Sequence, residues 1–159
     1  AYPSLLEKKL LAEKYDIKVI NAGVSGSTTA SASQRLAWYL KAKPEILLLA
    51  LGANDGLRGL KITESQKNLE QVIEKAQASG TTVILAGMLL PPNYGKEYSK
   101  QFEQMFKDLA KKYSLSFIPF LLKGVGGEKK LNIEDGMHPN ENGHKKILET
   151  VYPYIVKAL

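Results

Sequence analysis

The chain has 159 residues, of which 44% are hydrophobic and 24% charged, enough apolar material for one sizeable core and too little length for two ordinary domains. It contains no cysteine, which excludes disulfide frameworks, thiolate metal sites and thiol nucleophiles, so any covalent chemistry has to use oxygen or nitrogen. The formal charge of +6 invites a nucleic-acid reading, but arginine occurs only at Arg35 and Arg58 and the lysines are scattered over helical faces, so a solvated surface is expected and no nucleic-acid partner. No apolar run is long enough to span a bilayer, and no stable membrane insertion is expected.

In chain order, residues 4–15 space their leucines at three and four behind Pro3, which predicts an amphipathic helix. Ile17 to Ala22 reads as a strand, Gly23 to Thr29 as a Gly/Ser/Thr turn, and Ala30 to Lys41 as a helix ended by Pro44. Ile46 to Leu51 is a continuous apolar run of strand length, expected to be buried on both faces of a parallel sheet. Thr63-Glu64-Ser65-Gln66 has capping-box spacing ahead of a helix to about Ala78, with Gly80 just past its end. A strand over Thr82 to Leu89, the loop Pro91-Pro92-Asn93-Tyr94-Gly95, a helix over Lys96 to Tyr113 and a short strand over Leu115 to Ile118 follow. A last helix runs from about Glu141 to Lys157, with a kink expected at Pro153. Helix and strand alternate throughout, which predicts a three-layer α/β/α fold around a mostly parallel sheet.

Ligands of such sheets bind beyond the carboxyl ends of the strands, so the loops there are the places to look for chemistry. Asp135 and His138, three residues apart, can place a carboxylate on ring Nδ1–H and leave Nε2 free to take a proton from a hydroxyl, and Pro139 keeps His138 out of the helical conformation. Asn54, in Gly52-Ala53-Asn54-Asp55-Gly56, can donate its side-chain amide to a developing oxyanion, and Gly26 can donate a backbone N–H. Each feature alone has a plainer reading: a surface turn with a solvated histidine, a tight Asn-Asp-Gly turn, a glycine supplying positive φ. Together they supply a base, its orienting acid and two oxyanion donors at one end of the sheet.

A nucleophile is harder to find. Gly23-Val24-Ser25-Gly26-Ser27 nearly matches a Gly-x-Ser-x-Gly elbow, with Ser27 where the second glycine belongs, so Ser25 is a minor candidate. Asp55 reads as a structural partner rather than a second acid, and His144 as an exposed residue near the start of the last helix. A metal site built from Asp135, His138, Glu141 and His144 is disfavoured because the acid/base reading already explains two of the four, and no metal or cofactor is expected.

Gly26 in its Ser-Gly-Ser-Thr setting, Gly52-x-Asn54-Asp55 and Asp135-x-x-His138-Pro139 together resemble the second, third and fifth conserved blocks of the SGNH, or GDSL-type, hydrolases. The resemblance covers essentially the whole chain, in order. Gly52-Ala53-Asn54-Asp55-Gly56-Leu57-Arg58-Gly59 and Leu90-Pro91-Pro92-Asn93-Tyr94-Gly95 resemble the bacterial multifunctional thioesterase/lysophospholipase/arylesterase branch. The resemblance implies a flavodoxin-like SGNH fold as a single domain over 1–159, N-terminally incomplete and without its first strand, because the family's Gly-Asp-Ser-Leu block lies ahead of the segment that here begins Ala1-Tyr2-Pro3.

By that resemblance His138 is the general base, Asp135 orients it, Gly26 and Asn54 are oxyanion donors, and the nucleophilic serine lies upstream of Ala1, so the chain as it stands is expected to be inactive. The implied substrates are small acyl esters: lysophospholipids, aryl esters or acyl-thioesters. Leu57, Leu90, Pro91, Tyr94 and Met137, with Leu89 and Leu121 beside them, are candidates for an acyl groove. The alternative within the same fold is a catalytically inactive relic that binds acyl ligands. A monomer is expected, with a lean towards a periplasmic or exported location.

Overall fold

Parallel pairing of three short apolar segments organises the middle of the chain. In a computed structural model that describes residues 1–159, β1 (Ile46–Leu49), β2 (Thr82–Ala86) and β3 (Ser116–Ile118) form a sheet of order β1-β2-β3. Leu49 of β1 stands beside Leu85 of β2, and Leu85 in turn beside Phe117 of β3. Val83 to Ala86 of β2 are fully buried, whereas β1, at the edge of this order, buries only Leu49 and leaves Ile46 to Leu48 half-buried. The two-faced burial expected of the 46–51 run is therefore found in β2, the strand with a neighbour on each side.

The sheet belongs to a unit of residues 24–120 together with Ala158. Its helices α2 (Ala32–Leu40), α4 (Ile62–Ala78) and α5 (Lys96–Lys112) bury stripes at helical spacing: Leu36; Leu69, Val72, Ile73 and Ala76; Phe102, Met105, Phe106 and Leu109. These pack with Leu49, Val83 and Leu85 into one core, in which the Phe102 and Phe106 rings meet edge to face at 5.2 Å. Each buried Val, Leu, Ile, Met or Phe side chain among them contributes about 1.5–3 kcal/mol by leaving water. Helix α4 starts at Ile62 behind Lys61, so the expected capping box is not formed: Thr63 lies inside the first turn and the Gln66 amide donates to Glu70 instead.

Residues 1–23 and 121–157, with Leu159, form a second unit. Helix α1 (Tyr2–Ala12) buries Leu6 and Leu10, and α6 (Glu141–Ala158) buries Ile147, Val151 and Ile155. The two are linked through the Tyr2 N–H, which donates to His144 Nδ1 at 3.2 Å, through Tyr152 Oη on Glu13, and through Lys9 over the Tyr152 ring at 4.5 Å. Helix α6 runs on through Pro153 as one element.

The strand expected over 17–22 is not formed. β-structure needs a ladder partner for alternate backbone groups, and here the Val19 N–H donates instead to the Glu7 carboxylate at 2.8 Å. Helices and parallel strands otherwise alternate as the apolar pattern requires, and the fold class is α/β.

Candidate active site

The segment between Leu131 and Gly143 is a narrow antiparallel loop. The Ile133 N–H donates to the His138 carbonyl at 2.8 Å, the Asn140 N–H donates to the Leu131 carbonyl at 2.9 Å, and Asn132 forms a bridge with Pro139. Two asparagines fix its base. Buried Asn132 donates its side-chain amide to the Val125 and Glu128 carbonyls at 2.7 and 2.8 Å. Asn140 caps α6, accepting the Gly143 N–H at 3.0 Å, and donates to the Lys130 carbonyl at 2.9 Å. Gly143 lets the helix approach the loop this closely, because a Cβ there would lie 2.1 Å from the Leu131 carbonyl oxygen.

At the tip of this loop Asp135 turns its carboxylate back onto its own chain. Oδ1 accepts the backbone N–H groups of His138 and Met137, both at 2.9 Å, and Oδ2 meets Nδ1 of the His138 ring. The His138 and Met137 N–H groups, then the His138 ring, hold the Asp135 carboxyl down to about 2. An ionised carboxylate only accepts, so Nδ1 carries the proton and Nε2 of the neutral imidazole presents its lone pair. The pair is open to solvent, with side-chain exposures of 66% for His138 and 41% for Asp135, so Nε2 can meet a ligand without a rearrangement of the core.

The second cluster is built on the other unit. Gly52, at φ 116°, a conformation that glycine adopts without strain, ends the β1 connection and starts the short helix α3 (Ala53–Leu57). The tight turn expected for Asn54-Asp55-Gly56 is thus a helical turn. It aims the Asn54 amide at the Ser27 carbonyl, 3.0 Å away, and an amide has a second donor beyond the one this bond uses. Its neighbour Asp55 is buried and accepts the Thr29 N–H at 2.9 Å, the Thr29 hydroxyl at 2.5 Å and the Ser65 hydroxyl at 2.8 Å, a structural role that locks the start of the 29–31 turn to α3 and α4.

Between these anchors, Val24 to Ser27 form a turn closed by the Ser27 N–H on the Val24 carbonyl at 3.2 Å, with Gly26 at φ 75°. Arg58 donates to the Gly26 carbonyl and Arg35 to Ser27 Oγ, each at 3.0 Å. In the sequence Arg35 stands out only through the charge balance and Arg58 through that and the Gly52 to Gly59 block, and no local pattern announces that Arg58 reaches back 32 positions to Gly26.

The other predicted residues divide. Met137 is 48% exposed at the tip of the Asp135–His138 loop, and Leu121 is buried in that same unit. Leu57 and Tyr94 are half-buried and Leu89 and Pro91 exposed, while Leu90 packs against Gly56, where an added Cβ would come within 2.7 Å of it. His144 is half-buried rather than exposed: its Nδ1 takes the Tyr2 N–H, and burial pushes its pKa down. Ser25 lacks the setting of a nucleophile elbow, since residues 17–24 carry no strand and the next helical turn begins only at Thr29.

A carboxylate-held histidine on one loop, and an asparagine amide beside a positive-φ glycine on another, are the residue types of an acyl hydrolase. The profile of the GDSL-like Lipase/Acylhydrolase family matches residues 1–146, and the chain belongs to that family of ester hydrolases. It is 40% identical to the esterase TesA of Pseudomonas aeruginosa over 157 residues, covering 98% of this chain and 78% of that protein. It is 32% identical to thioesterase 1/protease 1/lysophospholipase L1 of Escherichia coli K12 over 150 residues, covering 94% of this chain and 71% of the relative. The crystal structure of TesA superposes with a TM-score of 0.96 at 39% identity, covering all of this chain and 89% of that one.

Proposed function

We propose that the chain carries the base and oxyanion machinery of a serine esterase/thioesterase that cleaves acyl esters through an acyl-enzyme. The observation that carries this reading is the Asp135–His138 pair, in which an ionised carboxylate fixes the tautomer that leaves Nε2 basic. Family membership supports using that pair with Gly26 and Asn54 in one mechanism, and it supports a nucleophilic serine in a Gly-Asp-Ser-Leu block ahead of Ala1.

In this mechanism His138 Nε2 takes the serine hydroxyl proton as the oxygen bonds to the acyl carbonyl carbon. Charge moves onto the carbonyl oxygen, where the Gly26 N–H and the Asn54 amide donate to it. The tetrahedral adduct collapses, the bond to the leaving alcohol or thiol breaks, and His138 returns the proton to that group. Water then gives a proton to the same Nε2 as its oxygen bonds to the acyl carbon, the bond to the serine oxygen breaks, and His138 returns the proton to that oxygen as the acid leaves. No step calls for a metal or cofactor.

Relatives named for esterase, thioesterase and lysophospholipase activity support small acyl esters and thioesters as the substrate class. Leu57, Leu90, Pro91, Tyr94 and Met137 are the proposed acyl contacts, with a monomer as the accompanying expectation. The test is hydrolysis of p-nitrophenyl acyl esters and acyl-thioesters by the protein that includes the serine block, beside its His138→Ala variant. Turnover lost in the variant supports the mechanism, whereas acyl-ester binding without turnover by the unmutated protein would make it an acyl-binding relic instead.

A further inference from the structure

The chain's two arginines both reach the turn that carries Gly26, although arginine is otherwise absent from the sequence and lysine serves everywhere else on the surface. Arg58 crosses 32 positions of sequence to place Nη2 3.0 Å from the Gly26 carbonyl oxygen. The peptide between Gly26 and Ser27 is consequently held at both ends, its carbonyl by Arg58 and its N–H by the Val24 carbonyl. One position further on, the Ser27 carbonyl accepts the Asn54 amide and the Ser27 hydroxyl accepts from Arg35. The Gly26 N–H takes no part in this clamp, and the two proposed oxyanion donors are thereby tied to the same turn.

We infer that Arg58 is a positioning residue for oxyanion stabilisation: its guanidinium fixes the Gly26–Ser27 peptide and, through it, the direction in which the Gly26 N–H points. The inference rests on the reading of Gly26 and Asn54 as oxyanion donors. Three features favour this over a purely structural role. Arg58 is exposed, so the bond adds little to global stability, because water competes for both partners. Gly26 sits at φ 75°, and glycine populates several backbone regions at similar cost, so the turn depends on tethers to keep one conformation. A planar guanidinium also aims its donors where the flexible ammonium of lysine does not. An oxyanion donor acts only if it is already aimed when charge appears, so a small loss of orientation lowers turnover more than substrate binding.

The experiment compares Arg58→Met, which keeps the aliphatic stem, Arg58→Lys and Asn54→Ala in the protein that includes the serine block, using kcat and KM for an aryl ester together with 15N-detected amide exchange at Gly26 and Ser27. The expected result is about a tenfold fall in kcat for Arg58→Met at nearly unchanged KM, an unchanged melting temperature and faster exchange of the Ser27 amide, with Arg58→Lys recovering only part of the loss. A kcat equal to the parent's in Arg58→Met, while Asn54→Ala falls by about a hundredfold or more, overturns the inference and leaves the oxyanion reading intact. A fall in kcat without any change at the Ser27 and Gly26 amides also overturns it, because Arg58 would then act on the substrate directly. Full turnover in Asn54→Ala overturns the oxyanion reading beneath it.

Discussion

The Asp135 carboxylate accepts both the ring Nδ1–H and the backbone N–H of His138, so one acid fixes the orientation of the base and the loop that carries it. Replacing Asp135 by asparagine removes the charge and lets the ring take the other tautomer. By analogy with catalytic triads, kcat is expected to fall by about 10³–10⁴-fold with KM little changed, as steady-state ester hydrolysis will show.

The same contacts set a pH dependence. Asp135 is held at about 2, below its ordinary value near 3.8, so its contribution to loop stability is complete above the ordinary value and is lost as pH falls from there through about 2. Asp135 is therefore expected to add no carboxylate ionisation to kcat/KM above pH 4. A pH–rate profile checks this, and an ionisation of the Asp135 carboxyl in that range would count against it.

Asp55 predicts a stability effect rather than a catalytic one. Asp55→Ala leaves the Thr29 N–H, the Thr29 hydroxyl and the Ser65 hydroxyl without their buried acceptor, and a loss of about 2–4 kcal/mol is expected in urea unfolding. An unchanged midpoint would show that these donors find other partners.

Gly143→Ala pushes a methyl into the Leu131 carbonyl and the Pro139 ring, which would lie 2.1 and 2.9 Å away. Overpacking of this kind costs about 1–3 kcal/mol, and here it moves the base of the His138 loop. Melting temperature and kcat should therefore fall together, whereas Gly124→Ala, strained by its φ of 74° but meeting only Lys146 Cε at 3.5 Å, should lower the melting temperature and spare turnover.

What the sequence made legible follows the range of the interactions. The apolar run of β2 and the stripes of α4 and α5 report burial directly, that of β1 marks a strand but overstates its burial, and the Asp135–His138 spacing lies within the reach of one loop. Residues 17–22 have strand composition, but composition does not supply a ladder partner. Thr63 has the spacing of a cap, yet the N-cap position falls two residues earlier, on Lys61, and Gln66 donates to Glu70 instead. Contacts across 27 and 32 positions, Asn54 to Ser27 and Arg58 to Gly26, leave no local trace, so the tethers of the Gly26 turn emerge only from the fold. Asn140 is the exception among the residues passed over, since an asparagine three positions before Gly143 at a helix start is a readable N-cap.

The most direct test of the acyl-hydrolase account is labelling of the protein that includes the serine block with a fluorophosphonate probe, followed by mass spectrometry of the adduct. The account predicts one adduct per chain, on the serine of the Gly-Asp-Ser-Leu block, and its loss in His138→Ala. No adduct on the unmutated protein, or an adduct on Ser25, would contradict it.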